Sequence, residues 1–391
     1  MGRDGVAVAW GANPEAQRAS RLGHGWEGPV LLLLTILLLS FGLVMVYSAS
    51  AVNAQALGLA DYHFVVRQAL GGAAGMVLLV VLAEVDYHWW DRLAWPLLGI
   101  TVLALALLVV PGTQAIAPAA NGARRWLTVG PVTVQPSEFA KLVLIAWTAK
   151  LAVKKQSLLP SLSRGLLPFL LIWGLVALLV LVEPNLSSAL LIVMLAALVV
   201  FAAGARIGHF LLLGLIALPL LWGQIEAMQY RLRRVVAFVD PSHDPAGASY
   251  QITQSLIALG SGGLFGRGLG RGEQKFGFLP EPHNDFIFSM IGEEWGFLGT
   301  SAVLLAFAAF GLVGYRVARQ APDLFGFLLA IGMTNLIVVQ ALLHIAVATA
   351  LVPTTGVTLP FISYGRSSLL VCLMAVGVLL SVARAGERKA E

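Results

Sequence analysis

The feature that most constrains this 391-residue chain is a succession of long apolar stretches, each near the length a helix needs to cross a hydrocarbon layer. That length is about 20 residues, and hydrocarbon tolerates only segments that satisfy their own backbone hydrogen bonds. Ten stretches qualify: 29–48, 64–83, 93–110, 136–153, 166–182, 186–203, 207–228, 286–313, 324–351 and 367–383. Charged residues make up only 12% of the chain, against 58% hydrophobic ones. A soluble domain carries about 25% charge, and half of that cannot clothe a water-facing surface. The expectation is an all-α polytopic membrane protein: one ten-helix domain over 29–383, tails at 1–28 and 384–391, and a long connection at about 230–284.

Small residues at Tyr47-Ser48-Ala49-Ser50-Ala51 resemble a signal-cleavage site. The apolar run before them exceeds the about 7–15 residues of a signal core and follows a long polar leader, so a retained helix is expected. Placing the N-terminus in the cytoplasm puts fourteen basic residues on that side: Arg3, Arg18, Arg21, Arg92, Lys150, Lys154, Lys155, Arg164, Arg206, Arg316, Arg319, Arg384, Arg388 and Lys389. The short outer loops hold three, Arg124, Arg125 and Arg366, so the positive-inside bias predicts both termini in the cytoplasm. The same bias explains the net charge of +5 without nucleic acid as a partner. Six more cations, Arg231, Arg233, Arg234, Arg267, Arg271 and Lys275, lie in the outer connection against that bias. An anionic ligand is the natural reason for them.

The single cysteine, Cys372, lies in an apolar run and excludes an internal disulfide or a thiolate cage. His243, Asp244, His283 and Asp285 lack metal-ligand spacing, and no dedicated metal site is expected.

Three outer segments carry the polar chemistry. In the first, Asn121-Gly122-Ala123-Arg124-Arg125-Trp126 precedes Gln135-Pro136-Ser137-Glu138. Pro136 suits a first helical position and Glu138 the positive helix end. Glu138 and Lys141 then form an i,i+3 pair inside the membrane, costly enough that a functional reading stands beside a packing one. Arg124, Arg125 and Trp126 read by spacing alone as interfacial anchors. In the second, Gln251, Gln254 and Ser255 share one face of an interfacial or re-entrant helix, with Ile252, Leu256 and Leu259 on another. Glycines from Gly260 to Gly272 follow, either as tight turns or as backbone N–H groups for phosphate oxygens beside Arg267, Arg271 and Lys275. In the third, Leu279-Pro280-Glu281-Pro282-His283-Asn284-Asp285 leads into the eighth span, with Asp285 at a helix N-terminus as cap, base or both. Glu293 and Glu294 lie about 12 Å further along, too far to pair with Asp285. One of them is expected to pair with Lys141 or Arg366.

Together these segments resemble the RodA/FtsW family of shape, elongation, division and sporulation proteins. The resemblance rests on 42–50, 121–126, 135–138, 250–270, 279–299 and the run Val352-Pro353-Thr354-Thr355-Gly356-Val357-Thr358-Leu359-Pro360-Phe361-Ile362-Ser363-Tyr364-Gly365. Around Leu279 and Thr358 the wording is nearer the division and sporulation branch. The resemblance implies a ten-helix fold that polymerises lipid II, the undecaprenyl-diphosphate-linked disaccharide pentapeptide, beside a class B penicillin-binding protein that crosslinks the glycan. It puts the essential acid on Asp285, the fourth-span acid and base on Glu138 and Lys141, and the entry to the tenth span at 360–368, with Ser363 and Ser367. The chain departs from the family pattern at Asn185, Ser187 and Ser188 (usually Asp, Gly and Thr), His344 (Asn), Ala350 (Gly) and Arg366 (Gly).

Glycosyl transfer from a lipid diphosphate needs a base for the acceptor hydroxyl, cations for the leaving group and an apolar path for the polyprenyl chain. Asp285 is the expected base, with inversion at the anomeric carbon. Arg124, Arg125, Glu138, Lys141, Arg231, Arg234, Gln254, Ser255, Arg267, Lys275, His283, Ser363 and Ser367 are the expected substrate contacts. A divalent cation, Mg or Mn, is expected to accompany the diphosphate without a built-in site. The competing readings are a flippase for the same lipid and a non-catalytic scaffold for the transpeptidase.

Overall fold

The computed structural model describes residues 25–119, 122–130, 132–240 and 247–390. Asn121, His243, Asp244, Arg3, Arg18, Arg21 and most of the N-terminal tail lie outside the described residues. Each apolar stretch forms a helix: α1 Glu27–Ala56, α2 His63–Glu84, α3 His88–Val109, α4 Pro136–Lys154, α5 Leu167–Val182, α6 Leu186–Ala202 and α7 Ile207–Glu226. After α7 come two shorter helices in the long connection, α8 Gln229–Val239 and α9 Ala248–Ser261, then α10 Ile287–Gln320, α11 Leu324–Ala348 and α12 Arg366–Ala390. A two-stranded antiparallel hairpin, β1 Leu127–Val129 with β2 Val132–Val134, leads into α4.

Among the described residues eight helical segments are long and apolar enough to cross a membrane, α5 being counted together with the helical turn at 162–166 that leads into it, and the chain is a multi-pass membrane protein. Of the other two expected spans, α6 is apolar but 17 residues long. In α4, Glu138, Lys141, Lys150 and Lys154 interrupt the apolar run, yet fourteen of its 19 residues are buried, so protein rather than lipid surrounds it. Buried charge is tolerated where a partner sits inside the bundle.

The first helix is part of the core. At one end Glu27 accepts from Arg316 and Gln320 of α10, and at the other Ser48 donates to Glu294 of the same helix at 2.6 Å. That antiparallel pinning corrects the expected partner of Glu294: it pairs with Lys275 at 3.0 Å, while Lys141 pairs with Glu138. Unlike the packed helices, α7 buries none of its residues. A helix apolar all round with no buried face suits lipid as its neighbour.

The predicted eighth span covers only part of α10. Thirty-four residues at 1.5 Å each is about 51 Å, well beyond a hydrocarbon core. The helix breaks at Gly296, where φ is 67°, so a stub over 287–295 stands apart from the longer segment after it. The glycine-rich connection folds onto this break. A Cβ at Gly262 would fall 1.8 Å from the Gly292 carbonyl oxygen, so only glycine permits the approach. Arg267 and Gly268 donate their backbone N–H groups to the Glu293 and Glu294 carbonyls. Those N–H groups close the kink and are not free to cradle phosphate. At the chain's end, α12 continues past the expected boundary at 383 to Ala390.

Candidate functional site

A cavity of about 720 Å³ opens where the start of α4, the α5–α6 turn, α8, the approach to α10 and the 352–368 segment converge. Of the expected contacts, Asp285, Arg125, Glu138, Lys141, Arg231, Arg234 and Ser367 line it.

Asp285 lies two residues before α10, in a turn where its own N–H donates to the Glu281 carbonyl at 3.3 Å. Among the described residues nothing hydrogen-bonds its carboxylate. Across from it stands Gly356, with φ 72°, where an added Cβ would meet Asp285 Oδ2 at 3.5 Å. Burial raises the Asp285 carboxyl to about 6, Glu281 adds to the rise, and Arg234 and Arg125 oppose it. A carboxylate free of partners and raised toward neutrality is suited to accept a proton at pH 7.

Four guanidinium groups share the cavity, those of Arg125, Arg231, Arg234 and Arg366. Arg231 is 5% exposed, donates to Tyr230 and to the Gln224 carbonyl, and leaves Nη2 without a partner. Arg234 donates to the Thr354 carbonyl at 3.1 Å, and both arginines lie over the Tyr230 ring. Arg125 donates to the Glu183 and Pro184 carbonyls, which ties the loop before the hairpin to the α5–α6 turn. Arg125, Arg231 and Arg234 are held by backbone carbonyls, so their charge is not spent on a carboxylate. An anion is the partner such groups lack.

The floor is a closed polar network. Lys141, 2% exposed, donates to Glu138 at 2.8 Å and to Gln340 Oε1 at 2.9 Å. Gln340 donates to the Thr358 carbonyl and to Ser368, fixing α4, α11 and α12 to the segment that faces Asp285. Ser367 accepts from the Gln135 N–H at 3.0 Å.

Other expected contacts lie elsewhere, each for a visible reason. Lys275 is buried on Glu294 and Ser48, and Arg267 pairs with Glu273 at 2.6 Å. Both buttress the α10 kink and are already neutralised. Ser255 is fully buried between Ser289 and the Ala348 carbonyl, a link between α9, α10 and α11. Gln254, on the same helix, and Arg124, whose contact is a 3.5 Å approach to the Val110 carbonyl, do not line the cavity. Arg233 and Arg271 are exposed away from it. His283 is buried, with its ring 4.8 Å from that of Phe64, and burial lowers it to about 4, so it is neutral. Its carbonyl accepts from Tyr364 N–H, and Ser363 donates to the Asn284 carbonyl at 2.8 Å. These two residues position the turn that carries Asp285 and do not touch the cavity themselves.

The departures also find explanations. Asn185 caps α6, its Oδ1 accepting from Ser188 N–H as an aspartate would. Ala350 sits at φ 55°, the left-handed region that glycine occupies freely. His344 donates from Nδ1 to the Val357 carbonyl at 2.7 Å, next to Gly356. His344→Leu is therefore expected to lower stability by about 1–3 kcal/mol by orphaning that carbonyl, while His344→Asn retains a donor. Thermal unfolding in detergent measures both, and equal losses would reject the hydrogen bond as the cause. Composition and spacing gave no signal for Tyr230, Asn284 or Thr355 at the cavity, and Arg366, expected as a partner for Glu293 or Glu294, lines it instead, because the segments carrying these residues meet only in three dimensions.

A multi-pass helical bundle whose cavity holds an unpartnered acid, Asp285, and several guanidinium groups without a carboxylate partner defines an integral membrane protein with a polar site enclosed among its helices. The sequence pattern of the FtsW, RodA and SpoVE cell cycle proteins matches residues 29–388, and the chain belongs to that family. Stage V sporulation protein E of Bacillus subtilis (strain 168) is 43% identical over 355 residues, covering 91% of this chain and 96% of the relative. A probable peptidoglycan glycosyltransferase FtsW of Trichlorobacter lovleyi is 42% identical over 353 residues, covering 90% and 92%. Among solved structures, a chain from a peptidoglycan synthase complex superposes with a TM-score of 0.73 at 30% identity, covering 93% of this chain and 99% of that one. The rod shape determining protein RodA of Thermus thermophilus gives 0.66 at 30% identity, covering 93% and 97%.

Proposed function

We propose that this protein is a peptidoglycan glycosyltransferase that polymerises lipid II on the outer face of the bacterial cytoplasmic membrane. The observation that carries the reading is the unpartnered Asp285 carboxylate facing the same cavity as Arg125, Arg231 and Arg234. Asp285 takes the proton from the 4-hydroxyl of the acceptor N-acetylglucosamine. That oxygen forms its bond to the donor's anomeric carbon as the bond to diphosphate breaks, and the diphosphate leaves with the electron pair. A single displacement inverts the anomeric centre and requires one carboxylate base rather than a covalent intermediate. The three arginines stabilise the charge that grows on the departing diphosphate. Leu186, Leu190 and Ile225 line the cavity between α6 and the lipid-facing α7, an apolar route for the polyprenyl chain.

Among the described residues no three His, Cys, Asp or Glu side chains gather into a metal cage. Glu281 and the unpartnered Asn284 Oδ1 are the oxygen donors that would share a Mg or Mn ion arriving on the diphosphate, where it would neutralise charge and leave Asp285 for the proton. A class B penicillin-binding protein is the proposed partner, in keeping with the synthase complex to which this fold is similar.

Purified protein in detergent, given lipid II, is expected to yield a glycan ladder on electrophoresis with no bilayer to cross. Lipid movement in vesicles without any polymer would favour the flippase reading, and activity only from an added transpeptidase the scaffold reading. Because the base must be ionised, the polymerisation rate is expected to fall as pH drops through about 6, the value to which Asp285 is raised. A rate flat down to pH 5 would remove Asp285 as the titrating group.

A further inference from the structure

Arg366 is a cation the reaction above does not use. It is the first residue of α12 and lines the cavity beside Gly365, Ser367 and Ser368. Its stem packs over α2, where a Cβ at Gly71 would come within 3.3 Å of Arg366 Cγ, so the side chain is held by the wall. Among the described residues its guanidinium makes no ion pair and no hydrogen bond. Acids at the cavity do not neutralise it: Glu138 is bound to Lys141, Glu281 accepts from Asn284 at 2.7 Å, and Asp285 is the base. The amino end of a helix is already partly positive, so a cation there is electrostatically uncompensated until an anion arrives.

The chemistry says which anion. Both partners in polymerisation are lipid-linked diphosphates, whereas Arg125, Arg231 and Arg234 form one cluster on α8 and the loop before the hairpin. We propose, resting on the polymerase reading, that Arg366 holds the diphosphate of the second lipid-linked substrate, the acceptor, from the α2–α12 wall. A guanidinium fork matches phosphate oxygens bidentately, and the arrangement separates the leaving diphosphate from the one that stays attached.

The test compares wild type, Arg366→Gly and Arg366→Lys, all checked for thermal unfolding. Initial polymerisation rates against lipid II concentration should show the glycine variant raising KM by about 10-fold, with most of the change in KM rather than kcat, and lysine recovering part of it. Binding of a polyprenyl diphosphate that lacks sugar and peptide, read by intrinsic tryptophan fluorescence, should weaken in parallel. If lipid II binding weakens while polyprenyl diphosphate binding does not, the anion is a peptide carboxylate and the proposal is overturned. Unchanged KM and unchanged diphosphate binding also overturn it. If wild type binds the diphosphate through Arg366 but forms no polymer, the polymerase reading fails while the anion site stands.

Discussion

Asp285→Asn is expected to abolish glycan synthesis and to leave a protein that unfolds at a higher temperature than wild type. The amide is nearly isosteric and cannot take a proton, and loss of a positioned general base costs about 10²–10⁴ in rate. The stability sign follows from the raised carboxyl. Above about pH 6 the side chain is ionised in both folded and unfolded chains, and enclosure penalises the folded one. Below the ordinary carboxylate range it is protonated in both, and the penalty vanishes. A rise from 3.8 to about 6 corresponds to roughly 3 kcal/mol at neutral pH, an upper bound for what asparagine returns. Polymer assays with lipid II and thermal unfolding in the same detergent measure the two effects. Retained polymerisation would falsify the base assignment. Lost polymer with lowered stability would instead assign Asp285 a structural role in the turn before α10.

The helices were legible in the sequence because apolar length is a local property, and α1 to α7 and α10 to α12 start or end within a few residues of the expected spans, except where α1, α10 and α12 run on. Asp285 was legible through the family resemblance of the 279–299 segment, at the point where a basic loop gives way to an apolar run, with Glu281 four residues before it. What could not be read was which cations face it. Arg231, Arg234, Arg267 and Lys275 look equivalent as a string, and only the fold shows that Glu273 and Glu294 claim the last two. Gly262 and Gly266 carried an ambiguous signal for the same reason. Their need for glycine comes from the carbonyls of Gly292 and Glu294, some thirty residues away. Asn185 shows the converse: a departure in letters keeps the function of a helix cap.

Lys141→Met alone is expected to destabilise the protein far more than Glu138→Gln and Lys141→Met together. Removing one partner leaves the Glu138 carboxylate and Gln340 Oε1 enclosed without a cation, and breaking a buried pair costs about 3–5 kcal/mol. The double substitution removes both charges and keeps nearly the same volume, a change often neutral for buried pairs. Thermal unfolding of the three variants checks the order, and an equal loss in single and double variants would show that the pair is not coupled. The same proteins separate packing from function at the cavity floor. Gln340 reaches Thr358 and Ser368, two residues along from Gly356 and from Arg366, so a stable double variant keeps the scaffold that presents Asp285. If that stable variant polymerises lipid II normally, the pair serves only to fasten α4 to α11. If it is folded but inactive, the pair itself acts on the substrate, because the double variant lacks only the Glu138 carboxylate and the Lys141 ammonium, both of which line the cavity.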